Sequence, residues 1–131
     1  MLLLHESTVL PAEIDTLGHM NVRYYMERMD RANVALMTRL GVNTDAGVFL
    51  RRTDTYSRFR REQFEGAALH TLGGVLDVSE NGMRSFVEIR NATDNEVAAS
   101  FVAVTRIIDA NSRQSRARFP LRRYGKARAA A

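Results

Sequence analysis

The segment Asp15-Thr16-Leu17-Gly18-His19-Met20-Asn21 holds an acid, a titratable base and an amide within seven residues. It directly precedes a stretch of helical periodicity, so these side chains should lie at the start of a helix. A helix start presents backbone N–H groups without intrahelical partners, together with the positive end of the helix dipole. A carbonyl placed there would be polarised, and a neighbouring carboxylate could act on it. Acyl transfer is therefore the first chemistry to consider.

Several of these residues also have a purely structural interpretation. Asp15, Thr16 and Asn21 are common helix-capping residues. Gly18 permits a tight turn, and position 19 holds a histidine, a residue type that serves as an acid or a base, which capping does not require. The combination therefore favours a functional segment over a cap alone. For His19, three roles stay open, namely orienting water, contacting Asp15 or filling the turn, and Asn21 is either a helix cap or a ligand contact.

The composition is that of one ordinary globular domain. Of the 131 residues, 45% are hydrophobic and 26% are charged, and a chain of this length can bury a core. The absence of cysteine excludes disulfides and thiolate chemistry. The start of the chain is too short and too soon acidic for a secretory signal, and no apolar run approaches the length of a membrane span. We therefore expect a cytoplasmic protein without a membrane partner or a metal site.

Positive charge is concentrated at the C-terminal end. All 15 acidic residues lie at or before Asp109, whereas seven of the 19 lysines and arginines lie within residues 113–128. We predict one domain over residues 1–120 and a basic tail over residues 121–131. Such a tail could contact nucleic acid, a phosphate-bearing ligand or an acidic partner. Because the basic segment offers only Phe119 and Tyr124 as aromatic residues, nucleic-acid binding is a minor alternative.

One segment has a clear helical period. Over about residues 22–40, apolar side chains recur every three or four residues, and Gly41 follows as a C-cap. The apolar stripe consists of Tyr25, Met29, Ala32, Leu36 and Leu40. Arg28, Arg31, Thr38 and Arg39 lie away from this stripe. A helix with so wide an apolar face needs a sheet to lie on.

The rest of the chain predicts the strands of that sheet. Strand-like stretches occupy parts of residues 2–10, 53–64, 69–78, 83–90 and 97–104, the last being typical of a strand covered on both faces. Asn81-Gly82 predicts a hairpin turn and Asp94-Asn95 a second turn. One helix followed by an antiparallel meander is an α+β arrangement. Glu62, among arginines, is by itself most simply an ion-paired strand residue.

The order of these pieces resembles a known family. A strand is followed by Asp15-x-x-Gly18-His19-Met20-Asn21-x-x-x-Tyr25, a long helix ending in Leu40-Gly41, then Phe59-x-Arg61-Glu62-x-x-x-Gly66 and further strands. This order resembles the hotdog-fold acyl-CoA thioesterases of the 4-hydroxybenzoyl-CoA thioesterase-like superfamily. The similarity runs from about Val9 to about Phe119 and is strongest over residues 11–41.

The resemblance implies a hotdog fold, in which an antiparallel sheet of five or six strands wraps around one long helix. It also implies homodimers that often pair into tetramers, with active sites at the dimer interface and an acyl-CoA as the small-molecule substrate. Because coenzyme A is then part of the substrate, no separate cofactor is expected. The physiological acyl group and the choice between dimer and tetramer stay open.

The resemblance further implies that Asp15 is catalytic, either as nucleophile or as general base on water. A backbone N–H at the helix start, from Val22 or a neighbour such as Arg23, would polarise the thioester carbonyl. The full candidate set is catalytic Asp15, His19, Asn21 and Val22, with substrate-binding Gly18, Met20, Tyr25, Met29 and Glu62. Some members carry a histidine four residues after the glycine, where this chain has Val22, so the role of that histidine is not transferred to His19.

Other functions fit parts of the same pattern. A non-catalytic acyl-thioester-binding protein would keep the groove without needing Asp15, and a hydroxyacyl-thioester dehydratase would keep the fold but change the reaction. The arginines at 58, 60 and 61 and those of the tail are equal candidates for binding coenzyme A phosphates. The fold alone does not choose among these functions.

Overall fold

Five antiparallel strands form one sheet, and a long helix lies against it, within residues 1–41, 48–79 and 82–109, which the computed structural model describes. The elements are β1 (Leu2–Thr8), a 3-10 turn (Pro11–Glu13), α1 (Val22–Arg39), β2 (Val48–Phe59), β3 (Ala68–Val78), β4 (Gly82–Asn91) and β5 (Val97–Asp109). The predicted α+β fold is confirmed with five strands. The predicted basic tail, residues 121–131, and Asn81 of the predicted hairpin turn lie outside the described residues.

The strand order across the sheet is β1-β3-β4-β5-β2, so the two strands that flank α1 in the sequence become opposite edges. β3, β4 and β5 form the centre, and every neighbouring pair is antiparallel. β2 pairs with β5 along one side, and its other side has no strand partner in the described part of the chain. The candidate site is built at the C-terminal end of this edge strand.

The helix begins at Val22, as predicted, and ends at Arg39, one residue before the predicted end. Asn21 caps the N-terminus, where its Oδ1 accepts the Arg23 N–H at 2.9 Å. At the other end Leu40 is the C-cap, and Gly41 follows with a φ of +75°, a left-handed conformation that glycine adopts readily. The predicted stripe is buried against the sheet. Over these residues, therefore, the hydrophobic period was a sound guide to the helix and its buried face.

One residue of the helix departs from the prediction. Arg28, placed away from the apolar stripe by its sequence position, is only 4% exposed. Its guanidinium lies against β1 and the 3-10 turn, where it meets acceptors from Ser7, Thr8 and Glu13. Helical period alone does not reveal such a residue, because its burial depends on partners that are distant in the sequence.

The second strand also differs from its predicted range of 53–64. β2 begins at Val48 and ends at Phe59, because Phe59 already pairs with Ala99 near the start of β5 and little partner strand remains. The N–H groups of both Arg60 and Arg61 then converge on the Ala98 carbonyl, at 2.8 and 3.2 Å. Glu62 is therefore on a connecting segment and not on a strand.

The last strand is covered mainly on one face, contrary to the prediction of two covered faces. Ala99, Phe101 and Ala103 are buried in the cluster that contains Met29, whereas the alternating residues Ser100 and Val102 are partly exposed.

Within the described residues, no helix is both long enough and apolar enough to cross a membrane.

A buried polar network fixes the helix on the sheet. Asn33 donates through Nδ2 to Thr105 Oγ1 at 2.9 Å and accepts from Ser85 Oγ at 2.7 Å. The network thus joins α1 to β5 and β4 with its buried polar atoms satisfied, which favours one position of the helix over others.

Candidate active site

The segment before the helix folds as a tight antiparallel hairpin over residues 13–21, referred to below as the entry hairpin. Three contacts pair its arms: the Asp15 N–H with the His19 carbonyl (3.1 Å), the Asn21 N–H with the Glu13 carbonyl (3.0 Å), and a bridge between Ile14 and Met20. Gly18 lies in its turn with a φ of +89°, where a larger residue would be strained. The hairpin runs directly into α1, so the acid, the imidazole and the amide belong to one continuous unit.

The backbone N–H groups at the helix start are used unequally. Arg23 N–H donates to the Asn21 side chain and Tyr24 N–H to the Asn21 carbonyl, each at 2.9 Å. Val22 N–H has no acceptor within the described residues. Of the two donors considered from the sequence, Val22 and Arg23, only Val22 is thus available to a ligand.

An open pocket of about 340 Å³ lies between the start of α1 and the end of β2. Its wall includes five of the residues singled out from the sequence, namely His19, Met20, Val22, Tyr25 and Glu62. Phe59, Arg60 and Arg61 complete the wall. The free Val22 N–H therefore belongs to a residue of the pocket wall.

The other four candidates are not among the residues of this wall. Asp15 is partly buried, and its Oδ1 accepts the Leu17 N–H at 2.9 Å, while Oδ2 accepts no hydrogen bond from the described residues. Asn21 is the helix cap, and Gly18 forms the turn. Met29 is 0% exposed in the core, packed against the sheet, so in this chain it does not face the pocket.

Two side chains of the pocket wall, those of His19 and Glu62, lie within ion-pair distance of each other. Nε2 of His19 lies 3.3 Å from Oε1 of Glu62, and the two side chains are 22% and 64% exposed. The ring therefore pairs with Glu62 and not with Asp15. Glu62, which its neighbours in the sequence suggested would pair with an arginine, instead meets a histidine from the entry hairpin, because residues 60–64 leave the sheet beside α1.

An aromatic group forms the apolar part of the pocket. The Tyr25 hydroxyl donates to the Arg61 carbonyl at 3.1 Å, and burial raises the pKa of Tyr25, so the phenol stays neutral. The Tyr25 ring meets Phe59 edge to face at 5.5 Å between centroids, and Phe59 meets Phe101 in the same way at 5.9 Å. This group ties α1 to β2 and β5 with a defined geometry.

The two arginines of the pocket differ in their pairing. Arg61 forms ion pairs with Asp94 and Glu96, and its hydrogen bond to Asp94 raises the pKa of the Arg61 guanidinium. The Arg60 side chain is exposed and forms no ion pair within the described residues. Of these two arginines, Arg60 is therefore the one whose charge is free to meet an anionic ligand.

The opposite side of the entry hairpin carries a buried ion pair that the sequence did not suggest. Both side-chain oxygens of Glu13 accept from Arg28, at 2.8 and 2.9 Å, and the side chains are 11% and 5% exposed. These hydrogen bonds lower the pKa of the Glu13 carboxyl, so the pair is charged at neutral pH.

Among the described residues, no group of three or more His, Asp and Glu side chains is placed to hold a metal ion.

The fold is the hotdog fold of the thioesterase-like proteins, with one long helix packed against a five-stranded antiparallel sheet. A profile of the thioesterase-like superfamily matches residues 9–126, and the chain belongs to that superfamily. A comparison with curated protein sequences gives no match.

Solved structures share the same fold. A protein from Pseudomonas putida KT2440 superposes with a TM-score of 0.83 at 18% identity, over 98% of this chain and 86% of that one. A 1,4-dihydroxy-2-naphthoyl-CoA thioesterase from Synechocystis gives 0.78 at 15% identity, over 95% and 93%. A protein from Staphylococcus aureus solved in complex with CoA gives 0.76 at 19% identity, over 88% and 76%. At these identities the likeness establishes the fold.

Proposed function

We propose that this protein hydrolyses an acyl-CoA thioester to the free acid and CoA. The observation that carries the proposal is the unpaired Val22 N–H, which lies at the positive end of α1 in a residue of the pocket wall. A donor of this kind stabilises the negative charge that develops on a carbonyl oxygen under attack. That one similar structure is a CoA thioesterase and another holds CoA supports a CoA thioester as substrate.

The residues of the wall divide into three roles. Val22 N–H donates to the thioester oxygen, and the apolar side of the pocket, formed by Met20, Tyr25 and Phe59, contacts the acyl group. Arg60, which has no ion-pair partner in the described chain, meets phosphate oxygens of CoA. No side chain needs to protonate the leaving group, because a thiolate leaves readily.

Asp15 is the reacting carboxylate in this proposal. Its Oδ1 is held by the Leu17 N–H, which orients the carboxylate, and its Oδ2 accepts no hydrogen bond from the described residues. Oδ2 either attacks the thioester carbon or removes a proton from an attacking water. In both routes the tetrahedral intermediate expels the CoA thiolate as the carbon–sulfur bond breaks. When Oδ2 attacks, this leaves a mixed anhydride of Asp15 and the acyl group, and a water then hydrolyses the anhydride to the free acid and the restored carboxylate. When water attacks, the free acid forms at once, the proton held by Asp15 passes to the thiolate or to solvent, and His19, held by Glu62, orients the water.

A second copy of the chain completes the site in this proposal. Asp15 is not on the pocket wall of one chain, whereas the pocket opens beside the end of the edge strand β2. An edge strand has backbone groups that can pair with another strand. Pairing of two β2 edges would enclose the pocket at a dimer interface, and a size measurement by light scattering should show a homodimer or a tetramer.

The proposal is tested by a thiol-release assay on a panel of acyl-CoA substrates. We expect hydrolysis by the parent protein, and a loss of about 100- to 10,000-fold in kcat for Asp15→Asn, the range of a lost general base. Glu62→Gln is the matched control, since it makes the same change on the pocket wall and should cost less. Hydrolysis that survives Asp15→Asn intact would remove Asp15 from the mechanism. No hydrolysis of any substrate, with CoA thioesters still bound, would instead indicate a binding protein.

A further inference from the structure

We propose that Arg28 and Glu13 are positioning residues. Their buried ion pair, called the clamp below, holds the entry hairpin against β1 and so fixes Asp15 and the Val22 N–H relative to each other. This inference rests on the proposed function for its kinetic consequences. Neither residue lines the pocket, so they would act through the hairpin and not by touching the substrate.

The pair forms a closed unit. A guanidinium has five N–H donors, and Arg28 makes five hydrogen bonds. The acceptors are Ser7 Oγ (2.8 Å), Thr8 O (3.3 Å), Tyr24 O (3.2 Å), Glu13 Oε1 (2.8 Å) and Glu13 Oε2 (2.9 Å). No donor is left over for a ligand. The role of Arg28 is therefore to join β1, α1 and the 3-10 turn.

A continuous path leads from this pair to the pocket. Glu13 Oε1 also accepts the Leu10 N–H at 2.9 Å, which holds the 3-10 turn, and the Glu13 carbonyl accepts the Asn21 N–H at 3.0 Å. Asn21 in turn caps the helix by accepting the Arg23 N–H, and the N–H of Val22, a residue of the pocket wall, has no acceptor in the described residues. A shift of Glu13 would therefore move the residue that sets the first turn of α1.

The acid lies on the same arm of the hairpin as Glu13, two residues further along. Asp15 N–H pairs with the His19 carbonyl, and Ile14 bridges Met20 between this contact and the one at Glu13. Small displacements of reacting groups, of about 1 Å, are enough to reduce catalysis by about 100-fold. Loss of the ion pair is thus expected to lower kcat more than it raises KM.

The same helix supplies a matched control. Arg31 and Glu27 form an exposed ion pair at 3.2 Å, with side chains 62% and 46% exposed, and within the described residues neither forms a hydrogen bond with the entry hairpin. The test compares Glu13→Gln and Arg28→Lys with Glu27→Gln and Arg31→Lys. Each clamp change removes one property of the pair, because Glu13→Gln keeps the shape of the side chain without its charge and Arg28→Lys keeps the charge without the fork of donors.

Steady-state kinetics on the best acyl-CoA of the panel and amide hydrogen exchange are measured for all four variants. We expect Glu13→Gln and Arg28→Lys to lower kcat about 10- to 100-fold with KM within about twofold of the parent. Exchange at Met20 and Asn21 should rise while exchange at Leu36 in the middle of α1 stays the same. The double clamp variant should be no worse than the worse single variant, because both changes break one unit. The two control variants should match the parent.

Two results would overturn the inference. One is parent-like exchange at Met20 and Asn21 in both clamp variants, which would show that the ion pair does not hold the hairpin. The other is raised exchange with an unchanged kcat, which would show that the hairpin's position does not govern the reaction. Failure of the proposed function is a separate result, since a parent protein without hydrolysis still reports through exchange whether the clamp holds the hairpin.

Discussion

Two glutamates flank the start of the same helix in opposite surroundings. On one side Glu13 is 11% exposed and receives two hydrogen bonds from Arg28 and one from the Leu10 N–H. On the other side Glu62 is 64% exposed and lies 3.3 Å from His19. The Arg28 side has its hydrogen-bonding capacity filled by the protein, whereas the pocket side has capacity left for a ligand. The difference suggests that the closed side serves structure and the open side serves chemistry.

The largest difference between the two sides should be in stability. Glu13→Ala leaves the buried Arg28 cation without its carboxylate, which typically costs about 3–5 kcal/mol. Glu62→Ala removes an exposed partner and should change the free energy of unfolding by no more than about 0.5 kcal/mol. Urea unfolding of the two variants measures both values. Equal losses would show that burial does not distinguish the two carboxylates.

Acid should reveal the same difference. Because the pKa of Glu13 is lowered by Arg28, its contribution to stability is present above the carboxyl's unfolded pKa and is lost as pH falls through its lower folded pKa. The gap in unfolding free energy between the parent and Glu13→Gln should therefore shrink as pH falls from about 6 to about 3. Taking the gap between the two proteins cancels the effect of other carboxyls, such as Asp94. A gap that is constant with pH would contradict the role given to this ion pair.

A smaller effect is expected where the pocket side is joined to the fold. Tyr25→Phe removes the hydrogen bond to the Arg61 carbonyl but keeps the edge-to-face contact with Phe59. Loss of such a bond typically costs about 0.5–1.5 kcal/mol. Thermal unfolding should show this loss, and a loss as large as that of Glu13→Ala would mean that the pocket side is as structural as the other.

Much of the fold follows from local patterns. The helical stripe, the Asn21 cap and Gly41 placed α1 correctly, because these signals act over a few residues. The predicted end of β2 is wrong by several residues, because the real end depends on where its partner strand β5 begins. His19 and Met20 of the segment before the helix lie on one pocket wall with Val22, the first residue of α1, because a hairpin and a helix start place neighbouring residues together.

The missing parts of the site come from long-range pairing. No spacing rule joins residue 13 to residue 28 or residue 19 to residue 62, so neither ion pair could be assigned from the sequence. Arg28 in particular lies outside the apolar stripe, yet acceptors from β1 and the 3-10 turn make its burial possible. All three named residues of the motif Phe59-x-Arg61-Glu62 lie on the pocket wall. The sequence does not give the residues that they contact, because those residues are distant along the chain.

The most direct test of the account is to remove the Val22 N–H alone. Val22 is the first residue of α1, a position where proline is well accepted, and Asn21 before it has the extended φ and ψ of −66° and 143° that proline requires. Val22→Ala removes the side chain but keeps the N–H, and serves as the control. We predict that Val22→Pro lowers kcat about 100- to 1,000-fold relative to Val22→Ala at equal thermal stability. Equal turnover by the two variants would contradict the claim that this N–H stabilises the reacting carbonyl.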